Sequence, residues 1–198
     1  MKKVTLSIIL FIAVIIGCKT SSSNGITNKL NITFESKSNS TVSGTGSFSE
    51  KNGTVIFIAK LSGLKPGIHA IHIHEKSDCS AADGSSAGGH WNPTFKKHGK
   101  LGQGESHKGD IGNFNADEKG NGTITFTTDE WCIGCGDTTK DILEKGLIVH
   151  EGADDYISQP SGNAGARIAC SAIIKPSSFL EEDGFKFYNY IKKKHKKA

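Results

Sequence analysis

Six of the chain's eight histidines fall between His69 and Asp110, in GIHAIHIHE, GGHWNPTFKKHG and ESHKGD, a stretch broken repeatedly by glycine. Imidazoles crowded this closely constrain the fold, because a chain rarely uses them at such density without a metal. His72 and His74 are two residues apart, so in a strand they project from one face about 6.5 Å from each other. Ile71 and Ile73 alternate with them toward the core, which predicts a half-buried strand with a functional outer face. His90, His98 and His107 follow at intervals of eight and nine residues, and Asp110 comes three residues later. Those intervals suit a loop folded around an ion better than a helix, where ligands four apart are expected.

The rest of the chain reads as β structure. Its 198 residues have room for one domain with extensions, and 24 glycines against 4 prolines indicate a turn-rich all-β fold. Period-two runs predict strands at Ile32–Phe34, Thr41–Phe48, Val55–Leu61, Gly122–Thr128, Leu147–His150 and Arg167–Ile174, besides the histidine strand. Val55, Phe57, Ala59 and Leu61 share one face of the third run. Gly63–Gly67 is a turn into the histidine strand, whereas residues 76–109 show no periodicity. A loop that long in a compact domain is commonly functional, and here it carries ligand candidates. The pattern predicts an antiparallel β-sandwich or barrel with sites on its connecting loops.

Both termini read separately. Lys2 and Lys3 precede the apolar run Val4–Ile16, a short secretory signal over residues 1–17. Ile15-Ile16-Gly17-Cys18 resembles a bacterial lipobox, which implies cleavage before Cys18 and diacylglycerol on its sulfur. Residues 18–29, rich in Ser and Asn, form a flexible tether. Of the net charge of +4, Lys2 and Lys3 supply two and residues 181–198 a net three, so the body is near neutral. That balance gives no basic surface for nucleic acid. The basic extension 177–198 ends in KKKHKKA, with His195 part of it; it reads as a solvated tail or as a contact for an anionic lipid or polysaccharide surface.

GIHAIHIHE, GGHWNP, KHG, SHKGDIGN, VHEGADD and GNAGARIAC, in that order, resemble the signatures of the copper/zinc superoxide dismutases over most of residues 44–174. The resemblance implies a Greek-key β-sandwich or barrel of about eight strands over residues 30–176, with long metal-binding and active-site loops. It implies one copper and one zinc per chain: copper on His72, His74, His90 and His150, zinc on His90, His98, His107 and Asp110, with His90 shared as an imidazolate. Four imidazoles suit redox-active copper, and a tetrahedral set with one carboxylate suits inert zinc. His150 alone would read as a surface or core histidine; its company reverses that reading. The implied activity converts two superoxide anions and two protons to dioxygen and hydrogen peroxide, with His90 carrying a proton and Arg167 drawing in the anion. The rival reading is an inactive copper/zinc-binding module of the same fold.

Other residues follow from the same resemblance. Asp154, with Asp155 as competitor, matches the carboxylate that links His72 to His98. His69 fits a supporting position near His150, on the strand face opposite His72. Cys79 and Cys170 match the family disulfide, compatible with export. Cys132 and Cys135 are additional to the family pattern and read as a local disulfide closing an inserted loop, with a redox pair or half a zinc site as alternatives. The loop between His150 and Arg167 is shorter than in eukaryotic members and resembles the bacterial type, which leaves a homodimer open. The resulting expectation is an envelope enzyme facing the periplasm, held to a membrane through Cys18.

Overall fold

The computed structural model describes residues 28–175. The signal segment 1–17, Cys18 and the basic extension 177–198 lie outside the described residues. Eight strands form, β1 Asn28–Ser36, β2 Ser43–Lys51, β3 Thr54–Ser62, β4 Gly67–His74, β5 Gly112–Ala116, β6 Gly122–Thr128, β7 Lys145–His150 and β8 Arg167–Ile173, and the only helical element among the described residues is a 3-10 turn at Ser85–Ala87. They close into an antiparallel barrel in the order β1-β2-β3-β6-β5-β4-β7-β8. The crossovers β3 to β4 and β6 to β7 make the predicted Greek key.

Alternation builds the wall. In β3 Val55, Phe57, Ala59 and Leu61 point inward, as their spacing predicts, and Leu30, Ile32 and Phe34 do the same in β1. Phe48 and Phe57 stack at 4.6 Å between centroids at the centre of the core. On β2, a Cβ at Gly46 would lie 3.1 Å from the Ile32 side chain and 3.2 Å from the Phe57 ring, so a side chain there would crowd the core. The β1–β8 seam is short, pairing only Glu35 with Cys170 and Ser36 with Ala169.

Three features differ from the sequence reading. Asn28 and Lys29, placed in the tether, are the first residues of β1, paired with Glu50 and Ser49. β5 has no counterpart among the predicted runs: in Gly-Asn-Phe-Asn-Ala, Phe114 is the one large apolar residue, too few for a visible period. β4 is buried on both faces rather than half-buried, since His72 and His74 are as enclosed as Ile71 and Ile73. Residues 75–111 cover the outer face of β4. They are laced to it by Trp91 N–H to Ile73 O at 2.9 Å, Ile73 N–H to Gly109 O at 2.9 Å and Glu75 N–H to Gly89 O at 3.0 Å. Both edges of the described chain meet one segment: the Asn28 amide donates to the Ile133 carbonyl at 3.1 Å, and Lys175 lies against Gly134.

Candidate metal centre

Strand geometry supplies the first two rings, His72 and His74 from β4. His90 arrives on the covering loop, pinned by a bridge to His74, and His150 ends β7 at a register shift after Val149 that re-aims its side chain. Ring centroids of His72 lie 4.1 Å from His90 and 5.0 Å from His150; His74 lies 5.0 Å from His90. His98, His107 and Asp110 gather on the other side of His90, whose centroid is 5.3 Å from His98 and 5.6 Å from His107. Two sets of donors result, each with its ligand atoms within 4.8 Å of one another: His72, His74, His90 and His150, then His90, His98, His107 and Asp110. All seven residues are buried.

What the imidazoles leave unused identifies these sets as metal sites. Among the described residues, six imidazole nitrogens are buried without a hydrogen-bond partner: His72 Nδ1, His74 Nε2, His90 Nε2, His98 Nδ1, His107 Nδ1 and His150 Nε2. Orphaned buried polar atoms are costly, and six in one place require a shared partner. His98 Nδ1 and His107 Nδ1 do approach Asp110 at 3.1 and 3.2 Å, but without hydrogen-bond alignment, as expected of atoms converging on a common point. The opposite nitrogen is fixed in several rings. His74 Nδ1 donates to Gly88 O at 3.0 Å, His150 Nδ1 to Gly165 O at 3.2 Å, and His72 Nε2 to Asp154 Oδ2 at 2.8 Å. Such outer bonds set tautomer and orientation. The donor sets therefore fit two cations sharing one ring.

Electrostatics separates the two sets. Burial, then the neighbouring His90, holds His74 well below the ordinary histidine range. Burial likewise lowers His90 to about 4, against the pull of Asp110, and lowers His150 to about 3, with His72 adding to it. Those rings stay neutral and free to donate. At His98 burial opposes the charge, but contacts to Asp110 and Asp154 outweigh it and raise the ring to about 9; Asp154 is the better aligned of the two. Despite burial, the close rings of His107, His90 and His98 and the Gly99 N–H hold Asp110 far below the usual carboxylate range, and His72 and His98 do the same for Asp154. His74, His90 and His150 are thus neutral donors, and the second set carries an ionised carboxylate.

Asp154, not Asp155, is the linking carboxylate, with Oδ2 on His72 and Oδ1 2.9 Å from His98 Nε2. Asp155 is exposed and accepts from Ile157 and Ser158. Three supporting residues were not singled out from sequence. Asn113 holds the Asp154 backbone through two 2.8 Å bonds, and Gln159 brackets His98 by accepting from its N–H at 2.8 Å and donating to its carbonyl at 3.0 Å. At Gly162, φ +67°, a Cβ would lie 2.6 Å from His98 Nε2 and would overlap Asp154 Oδ1. No local signal marks them: Asn113 and Gln159 act across 41 and 61 residues, and Gly162 matters because the fold brings His98 against it.

Arg167 donates to Gly84 O and Gly88 O, both at 2.8 Å, and with His74, His90 and His150 lines a cleft of about 450 Å³. His69 on β4 sets its ring between the carbonyls of Lys65 at 2.8 Å and His150 at 3.0 Å, beside Phe114. Cys79 and Cys170 are joined, fastening the covering loop to β8, and Lys37 donates to the Cys79 carbonyl at 2.5 Å. Cys132 and Cys135 form a second disulfide, consistent with the local-closure reading. Asp141 lies close to them, but its carboxylate accepts from the N–H groups of Gly134 and Gly136.

A closed antiparallel barrel carrying an all-imidazole donor set and a carboxylate-containing set with one histidine in common defines a two-metal protein. Comparison with known proteins narrows this further. The sequence profile of "Copper/zinc superoxide dismutase (SODC)" matches residues 42–173. Superoxide dismutase [Cu-Zn] 2 of Aquifex aeolicus is 40% identical over 127 residues, 63% of this chain and 74% of that one, and Superoxide dismutase [Cu-Zn] 1 of the same organism is 39% identical over 127 residues, 63% and 75%. Superoxide dismutase-like protein YojM of Bacillus subtilis is 37% identical over 129 residues, 64% of this chain and 65% of that one. The chain belongs to the copper/zinc superoxide dismutase family, and its cofactors are copper and zinc.

Proposed function

We propose that the protein is a working superoxide dismutase, converting two superoxide anions and two protons to dioxygen and hydrogen peroxide. His72, His74, His90 and His150 would hold copper, and His90, His98, His107 and Asp110 zinc. Copper, cycling between Cu(II) and Cu(I), supplies the one-electron chemistry when bound, beside a redox-inert zinc. The observation that carries the reading is the placement of one ring in both sets, next to a cleft with a fixed guanidinium. Arg167, clamped by two carbonyls, presents its free edge to a small anion, hydrogen-bonding it and concentrating it at the cleft. His90 presents Nε2 to the imidazole set and Nδ1 to the carboxylate set, so it can hold a proton at Nε2 and pass it to reduced oxygen.

A second reading, a copper/zinc-binding module without turnover, is favoured by the similarity to a relative named only as superoxide dismutase-like. Retention of all four imidazoles and Arg167 supports the enzyme. Superoxide dismutation by the metal-loaded protein, measured beside His150→Ala with metal content determined for both, separates the two. Activity is expected only in the parent; equal rates would remove copper chemistry from the account.

Export to a bacterial envelope and attachment through a lipid on Cys18 complete the proposal. They are supported by the apolar run ending in Ile15-Ile16-Gly17-Cys18, and two disulfides are compatible with an oxidising compartment.

A further inference from the structure

Residues 129–144, between β6 and β7, carry features that dismutation does not use. Trp131 is buried, its indole packed 5.1 Å from Phe126 and 6.4 Å from Phe48 between centroids. Its Nε1–H points away from those rings and donates to the Lys108 carbonyl at 2.7 Å. Lys108 sits between His107 and Asp110, and its ammonium pairs with Glu130. Two consecutive residues, Glu130 and Trp131, therefore grip both the side chain and the main chain of Lys108. The backbone bond across that turn is long, Asp110 N–H to His107 O at 3.4 Å, and its tighter closure, His107 N–H to Asp110 Oδ2 at 2.8 Å, uses a carboxylate of the proposed zinc set.

The gripping loop is itself braced. The Cys132–Cys135 disulfide closes it, Cys132 N–H donates to Lys140 O at 2.9 Å, and Ile142 N–H donates to Cys132 O at 3.1 Å. Asp141 gathers the N–H groups of Gly134, Gly136 and Leu143. Ile133 N–H donates to the Glu50 carboxylate on β2 at 3.1 Å, and Asn28 on β1 donates to Ile133 O. Barrel wall, disulfide loop, indole and metal-binding turn form one chain of contacts.

We infer that the disulfide-closed loop is a clamp on the zinc turn, with Trp131 a positioning residue that fixes His107 and Asp110 through the Lys108 carbonyl. The inference rests on the zinc assignment proposed above. Opening the turn separates two of zinc's four donors, so a turn held at Lys108 releases the ion more slowly.

The test is zinc release from the copper- and zinc-loaded protein into a chromophoric chelator. Trp131→Phe keeps the ring and removes the donor; Cys132→Ser with Cys135→Ser unlocks the loop and leaves Trp131 in place. Each is expected to release zinc about tenfold faster, the low end for bonds that orient metal ligands. Both variants should lower the melting temperature of the metal-free protein, through the lost indole volume or the opened disulfide, while copper retention stays near the parent's; that selectivity for zinc is what a merely structural role would not predict. Unchanged release from Trp131→Phe overturns the clamp; should that variant not fold, unchanged release from the double serine variant overturns it equally. Asp110→Asn is the control: if it also retains zinc, the donor assignment has failed rather than the clamp.

Discussion

Gly162 offers the sharpest test of how the centre is held. Replacing it with alanine acts in two ways. The backbone there has φ +67°, a left-handed conformation that costs a residue with a Cβ about 1 kcal/mol. The added methyl would also overlap Asp154 Oδ1 and crowd His98 Nε2, 2.6 Å away. To relieve the overlap the carboxylate must move by more than an ångström. The 2.9 Å bond to His98 then stretches past hydrogen-bonding range, losing a charge-assisted bond of about 1.5–3 kcal/mol. The metal-free protein should therefore lose about 2.5–4 kcal/mol in denaturant unfolding, summing those two terms. Zinc affinity should fall roughly 10- to 100-fold in competition with a chelator, the range for ligand-orienting groups. Gly53→Ala is the matched control, since Gly53 has φ +76° and open space around its missing Cβ. It should cost only the backbone share and leave zinc untouched. If the two variants behave alike in stability and zinc affinity, Asp154 is not the strut described.

Burial of His74, His90 and His150 as neutral rings makes the metal-free fold acid-sensitive. Their folded pKa values lie below the unfolded value, so this stability is present above about pH 6.5 and is lost as pH falls toward the folded values, by up to about 4 kcal/mol per pH unit for three protons. Denaturant unfolding between pH 7 and 4 measures it, and a flat profile refutes it. His98, raised to about 9, has the opposite sign: its contribution is present below about pH 6.5 and lost as pH rises through 9. Ser171 Oγ is buried without a hydrogen-bond partner, so Ser171→Ala should raise stability by about 1 kcal/mol in thermal unfolding; a loss would show an unseen partner. Cys18→Ser should abolish incorporation of labelled fatty acid, and removing 179–198 in that background tests whether the basic extension alone retains the protein at the envelope; unchanged retention eliminates that role.

Much of the centre was legible because its ligands sit in local patterns: His72 and His74 share a strand face, and the motifs around His90, His107 and His150 occur in family order. Arg167 was recognisable three residues before Cys170. Supporting residues were not. Asn113 and Gln159 take their roles from partners distant in sequence, Gly162 from the fold that brings His98 and Asp154 together beside it, and Trp131 from an indole that reaches the Lys108 carbonyl. β5 was hidden because Phe114 alone cannot display a period. The alternation in β4 reads as a half-buried strand because it does not reveal that the covering loop folds back on the histidine face.

Asn28 and Lys175 both approach Ile133–Gly134, whereas Arg167 stands at the far end of β8, six residues or roughly 20 Å along the strand. Anything moored through either flank of the barrel is thus fastened at one pole, while the cleft lined by Arg167 opens near the other. On the proposal of a lipid-anchored dismutase, such a molecule would scavenge from the surrounding fluid rather than from the membrane it hangs on.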